Sequence, residues 1–428
     1  MSLDLRKTAP QISAMGDGLR ASWQERTQRL DRAAALLRNP LERGLAAKTL
    51  VQRVEAAGPP RQRVSFLVAG LPAGESLDFG RGFDAPPSPG DYVAVAADGS
   101  QIALDHHGPV SCFLLNTSTV AIRYGEERGA SIVSEPRLFS GPEELAFRDP
   151  DGAVREQAID EVLMGTMRAV LEIEALAEAL ERNRGEGPVV VLLDGSLVRW
   201  ELSSTRYPDF VKQRLLQEGY LAALDRLREA SRRRPLAFAG YISGSRSTEV
   251  TNVLRVAWCP HDGVETRGCD NICGKGGMGR RECGEVADGV LDRALFGRVL
   301  AAGQRSDLFA SQSPIVRAEY GPHEVRFCYV NVGDEVVRVE MPEWVAQDTS
   351  RLELLHSLVL DQCRKGDGYP VALREAHEAA VVSESDRRVF WQLVGDTLTA
   401  QGLSAASSSC RAARARLPRF RGHRRGPS

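Results

Sequence analysis

No stretch of the 428 residues stays apolar for the length of a membrane span, and the opening Met1-Ser2-Leu3-Asp4-Leu5-Arg6-Lys7 lacks the apolar core of a signal peptide. A membrane partner is therefore not expected, and a cytoplasmic location is. Net charge is nearly absent as well: the formal value is -2 at pH 7, so the field of the whole molecule selects neither an acidic nor a basic partner. Cysteine is scarce, at eight residues, and in a chain of this size and compartment eight do not suggest a disulfide framework. No internal repeat is present except one short construction that occurs twice.

That construction is a buried-strand run ending in Asp-Gly-Ser. In Val189-Val190-Val191-Leu192-Leu193-Asp194-Gly195-Ser196-Leu197, an unbroken apolar run meets a carboxylate, then glycine, then a small hydroxyl. Apolar runs without alternation mark strands covered on both faces, so Asp194 is expected where such a strand leaves the core. Asp91-Tyr92-Val93-Ala94-Val95-Ala96-Ala97-Asp98-Gly99-Ser100 has the same form. Two strands of one sheet would bring Asp98 and Asp194 to one edge. Paired carboxylates there can hold divalent cations against a phosphodiester, because hard cations take oxygen ligands. Asp-Gly-Ser is also an ordinary turn, so one copy alone says little.

Around these strands the spacing predicts helix over residues 19–57 with a break at Asn39-Pro40, a short strand over 63–68, and loop from 70 to 90. Strands at 101–105 and 113–124 continue an antiparallel meander, and helix follows from 154 to about 184. Another helix at 211–231, a strand at 235–243, a hairpin at 325–332 and 336–341, and helices at 350–365 and 384–397 complete the pattern. The prediction is one mixed α/β sheet flanked by helices. A metal site would need further ligands, for which Glu172 or Glu174 in the helix before the second acid, and Tyr369 and His377 near the end, are the candidates. Arg246, Ser100 and Ser196 could meet a substrate phosphate.

The order Val95-Ala96-Ala97-Asp98-Gly99-Ser100, Met167-Arg168 through Glu172, Leu192-Leu193-Asp194-Gly195-Ser196-Leu197, Gly240-Tyr241-Ile242-Ser243 and Gly368-Tyr369-Pro370-Val371-Ala372-Leu373-Arg374-Glu375-Ala376-His377 resembles the NurA nuclease family. The resemblance spans about residues 60–400. It implies a ribonuclease-H-like α/β fold, a Mn²⁺- or Mg²⁺-dependent 5′-to-3′ DNA nuclease with possible single-strand endonuclease activity, a homodimer, and a hexameric HerA-type ATPase as partner in DNA end resection and double-strand-break repair. Carried over by position, Asp98, Glu172, Asp194, Tyr369 and His377 form the site, with Asp98, Glu172, Asp194 and His377 on the metal. Glu172 is preferred because it stands four residues after Arg168, as in the family pattern, and Glu174 stays open. Where many members carry lysine, Arg246 stands.

The departure from the family is Cys259, Cys269, Cys273 and Cys283, spaced C-x9-C-x3-C-x9-C in a glycine-rich segment. Four thiolates can close a tetrahedral zinc site or hold an iron–sulfur cluster, and a segment of this kind has no core of its own to fold around. The expected organisation is an N-terminal helical region over 1–60, a nuclease domain over 61–400 with the cysteine-rich insertion at 255–287, and a basic disordered tail over 401–428. That tail carries Arg411, Arg414, Arg416, Arg419, Arg421, Arg424 and Arg425 without an acid, as a segment that meets DNA would. Two rival functions share these features: a non-catalytic subunit that binds single- or double-stranded DNA ends, and a ribonuclease of the same fold.

Overall fold

The computed structural model describes residues 4–42, 44–57, 66–72, 77–104, 110–150, 155–183, 185–203, 206–261, 273 and 282–403. Its centre is a ten-stranded mixed sheet. Along its main path the order is β1 (Phe83–Asp84), β9 (Gln304–Arg305), β11 (Val325–Asn331), β12 (Val336–Pro342), β8 (Leu236–Ile242), β7 (Val189–Asp194), β2 (Tyr92–Ile102), β3 (Phe113–Tyr124) and β4 (Gly129–Phe139), and β10 (Phe309–Ala310) pairs with β11. A separate hairpin joins β5 (Ala146–Arg148) to β6 (Glu156–Ala158).

The chain therefore begins its sheet as an antiparallel meander, β2-β3-β4, and then adds β7 and β8 in parallel on the other side of β2. This is the ribonuclease-H-like mixed α/β arrangement that the family resemblance implies. β2 and β7 are neighbours whose onward connections leave in opposite directions. In open α/β sheets the crevice at such a switch point, outside the carboxyl ends of the strands, is where ligands bind.

Helices cover both faces. α1 (Leu5–Arg38) and α2 (Ala47–Ala57) precede the sheet, and α3 (Glu161–Arg182) lies between β6 and β7. α4 (Asp209–Lys212) runs through a π-helical stretch, Gln213–Leu221, into α5 (Ala222–Ser231), and α6 (Glu249–Trp258) follows β8. The short helices α7 (Gly284–Ala287), α8 (Asp292–Phe296), α9 (Pro314–Glu319) and α10 (Glu343–Ala346) lead to α11 (Thr349–Lys365), α12 (Val371–Ala380) and α13 (Glu384–Ala400). Val189 to Leu193 are buried, as an unalternating apolar run requires. A second apolar cluster, including Leu36, Leu37, Val253, Phe296 and Phe309, packs α1 and α6 beside the far end of the sheet.

Four local expectations are corrected. The first helix starts at Leu5, not near residue 19: Asp4 caps it by accepting from Arg6 N, and the helix carries Pro10 inside it. Helix α3 starts at Glu161, where Asp160 accepts from Leu163 N, so residues 156–158 before it are strand. Within 63–68 only 66–68 are described; they form no strand, and nearby only Gly70 bridges to Ala310. The fourth correction concerns the first Asp-Gly-Ser. It is not the end of a strand: β2 runs through it, pairing Asp98 with Ser118, Gly99 with Thr117 and Ser100 with Asn116.

Candidate active site

Parallel pairing fixes the two aspartates. Ala97 stands opposite Leu193, so the next residues, Asp98 on β2 and Asp194 at the end of β7, sit side by side at the switch point. Their charges act on one another. Burial among neighbouring groups, first, and the Asp98 charge, second, raise the pKa of Asp194, although its carboxylate reaches solvent; the Tyr369 hydroxyl, which donates to Asp194, and His377 oppose that rise. Asp98 turns one oxygen to its own strand, where Gly99 N donates at 2.8 Å, and the other to His377 Nδ1 at 2.7 Å.

Glu172 arrives from α3, and the reason it can do so lies in Gly99. Successive strand residues point to opposite faces. Ser100 points to α12, where its hydroxyl donates to Ala380 O, and Gly99 points to α3. A Cβ on Gly99 would lie 2.6 Å from Glu172 Oε1 and 2.9 Å from Arg168 Cγ, so the missing side chain is the opening through which the glutamate reaches the strand that carries Asp98. Glu172 is 6% exposed and its pKa is pushed up to about 7, chiefly by burial and further by the Asp98 and Asp194 charges, against Arg168 and Arg199. Arg168 Nε stands 3.2 Å from Glu172 Oε1. Near neutral pH this group is poised between acid and base.

The second glycine has a different task. Gly195 adopts φ +97°, a conformation that favours glycine, and its N–H donates to Tyr241 O as the chain leaves β7. Tyr369 stands edge-on to Tyr241, with ring centroids 5.3 Å apart, and burial and the Asp194 charge hold its hydroxyl protonated. His377, on α12, is 61% exposed.

The structure thus brings Asp98, Asp194, Tyr369 and His377 together, and it sets Glu172 on the α3 side of β2, near enough for the Asp98 and Asp194 charges to raise its pKa. Glu174 points elsewhere, into a surface groove with Arg137, Met167, Phe210 and Glu218. Two serines expected at a phosphate are occupied otherwise: Ser100 holds α12, and Ser196 donates to Glu340. Arg246 is exposed in the turn after β8, and none of the hydrogen bonds or ion pairs among the described residues joins it to the three acids. Arg199, Arg338 and Glu340 are not among the residues the sequence singles out. Charged residues inside a strand or helix are solvent-facing by default, and only the fold reveals the exceptions.

Three of the clustered cysteines are described. The Cys259 thiol is raised by burial first and also by Cys283 and Cys273, so the three lie near one another, and Arg255 Nη1 stands 3.7 Å from Cys283 Sγ. Cys269 lies outside the described residues, as does Cys410; Cys112, Cys328 and Cys363 are buried free thiols. Among the described residues no group of three or more His, Cys, Asp or Glu side chains is arranged as a ready-made metal cage. The chemistry of these acids nevertheless suits a hard divalent cation: the donors are carboxylate oxygens, and Asp98 and Asp194 stand side by side, each charge disfavouring the other.

The fold and site define the class as a mixed α/β protein with a group of acids at the switch point of its sheet. The NurA domain model matches residues 92–382, more than half of the chain and every member of the cluster, so the chain belongs to the NurA family, a family of nucleases in DNA end processing. None of the curated proteins compared matches it. Among solved structures it is similar to a crystal structure of LC9-RNase H1, a type 1 RNase H with the type 2 active-site motif, at 13% identity and a TM-score of 0.19, covering 39% of this chain and 71% of that one. A likeness that slight carries no argument about function. No helix among the described residues is long and apolar enough to cross a membrane.

Proposed function

We propose that this chain is a Mn²⁺- or Mg²⁺-dependent deoxyribonuclease that degrades DNA ends 5′ to 3′ in end resection, with Asp98, Asp194 and Glu172 as its acidic centre. The observation that carries the proposal is the parallel pairing that sets Asp98 beside Asp194 at the switch point, with Glu172, packed together with Arg168 over Gly99, close enough to feel both charges. Asp98, Asp194, Glu172 and His377 would hold the ion, which supplies charge stabilisation at the scissile phosphate and an activated water. His377 holds the Asp98 carboxylate through Nδ1, and Tyr369 orients Asp194. Without the ion Glu172 titrates near 7, so holding a cation there would release its proton and make binding stronger as pH rises. Family membership further suggests a homodimer and a hexameric HerA-type ATPase as partner.

Linear single-stranded DNA, double-stranded DNA and RNA of matched sequence, each incubated with Mn²⁺ and with EDTA, test the proposal. Metal-dependent shortening of DNA is expected. Binding without cleavage would favour a scaffold subunit, and cleavage of RNA alone would favour a ribonuclease.

We infer a separate structural metal at Cys259, Cys269, Cys273 and Cys283, zinc or an iron–sulfur cluster, since soft thiolates do not suit the hard ion of phosphodiester chemistry. The nearness of Cys283 and Cys273 to Cys259, whose thiol they help to raise, supports it. Elemental analysis of anaerobically purified protein should find zinc, or iron with sulfide; finding none of them would end the idea.

A further inference from the structure

The segment just after Asp194 is fastened by residues that no nuclease chemistry requires. Glu340, in the middle of β12, is 2% exposed, and its Oε2 accepts from Ser196 Oγ and from Leu197 N, each at 2.8 Å. From another side Tyr320, a residue 1% exposed, donates through its hydroxyl to Leu197 O at 2.9 Å and accepts there from Arg199 N at 2.8 Å. β8 lies between β7 and β12, so the turn must cross it to reach Glu340. It crosses at Gly240, which is paired with Glu340, and a Cβ there would come within 2.5 Å of Gly195 O.

Glu340 is itself held. Its Oε1 accepts from Arg338 Nε at 2.8 Å, and Arg338 Nη1 stands 2.8 Å from Glu249 Oε1, with all three side chains under 10% exposed. Burying such a group of charges gains little net stability, because desolvation offsets attraction, and apolar residues of like volume commonly do as well. What ionic partners give and apolar ones cannot is a fixed direction for hydrogen bonds. Here that direction is spent on the backbone of residues 196–199, directly beside the Asp194 carboxylate.

We propose that Glu340 and Tyr320 are positioning residues that set where Asp194 stands relative to Asp98, and so set the affinity of the acidic centre for its divalent ion. The inference rests on the proposed nuclease function. Neither residue touches substrate or ion, and Arg338 and Glu249 act one step further back by holding Glu340.

The test measures Mn²⁺ binding to the full chain without DNA, by the electron paramagnetic resonance signal of free Mn²⁺, alongside steady-state cleavage of linear DNA. Glu340→Gln keeps the volume and one acceptor but loses the charge that aims it. Loss of an outer partner of a metal ligand typically costs 10- to 100-fold in metal affinity or activity. Glu340→Gln should therefore weaken Mn²⁺ binding about tenfold and lower kcat about tenfold, leaving KM for DNA within about twofold. Tyr320→Phe removes one uncharged hydroxyl, so it keeps the test alive should Glu340→Gln fail to fold, and it should move Mn²⁺ affinity and kcat in the same direction by a smaller factor. Unchanged Mn²⁺ affinity and kcat in either folded variant would overturn the inference. Wild-type protein that binds no Mn²⁺ and cleaves no DNA would instead remove the nuclease reading, and the inference with it.

Discussion

Glu172 is the residue where burial and chemistry conflict most openly. An isolated glutamate titrates near 4.5, and here burial and two neighbouring carboxylates lift it to about 7. Folding thus favours the protonated form. The stabilising effect is full below the unfolded value of 4.5 and is lost as pH rises through 7, amounting to roughly 3 kcal/mol across that window in the metal-free protein. Glu172→Gln, which cannot ionise, should be more stable than wild type at pH 8 and nearly equal at pH 4.5. Urea unfolding in EDTA at the two values measures this, and an equal difference at both would contradict it. Gly99→Ala is the companion experiment, because a methyl at 2.6 Å from Glu172 Oε1 must displace the carboxylate. Cleavage should fall at least tenfold, while the circular dichroism of the folded protein stays unchanged.

At the scale of elements, three strands and one helix form a clamp. Ser100 on β2 and Asn116 on β3 both donate to Ala380 O, and Ser134 on β4 donates to Ala379 O, so three adjacent strands grip the last turn of α12, which carries His377. Asn116→Ala should loosen that turn and lower kcat severalfold without changing the pattern of products, as a gel assay would show; a rate equal to wild type would mean the clamp is redundant. This scale also divides what was legible in the sequence from what was not. The buried run Val189–Leu193 and the hairpin β11–β12 could be read from composition and period alone, since covered strands abandon alternation and Gly333, at φ +110°, marks the turn. The doubled Asp-Gly-Ser could be seen, but its two copies could not be told apart. In one the glycine is a window inside a strand, and in the other it is a turn, a difference set by what packs over it. The strand β4 was missed because all of it but Val133 and Phe139 is exposed, so no apolar period announces it. The Glu340–Arg338–Glu249 group was invisible for the opposite reason: charged residues in a strand read as surface.

For the whole molecule, a net charge of -2 conceals an uneven distribution, with seven arginines and no acid in residues 401–428. Each phosphate that such a segment neutralises adds about one unit to the slope of log affinity against log salt. Removing residues 411–428 should flatten that slope for DNA binding, and an unchanged slope would show the segment to be irrelevant. The central claim is that Asp98 and Asp194, neighbours on two parallel strands, act as one acidic centre on DNA. Asp98→Asn and Asp194→Asn keep the volume and remove one charge each, and folding should survive because the pair repels itself in the metal-free state. The most direct test is cleavage of linear DNA in Mn²⁺ by the two purified, folded variants. A loss of more than about 100-fold in each is expected, since either carboxylate is needed to hold the ion; full activity in either one would contradict the claim.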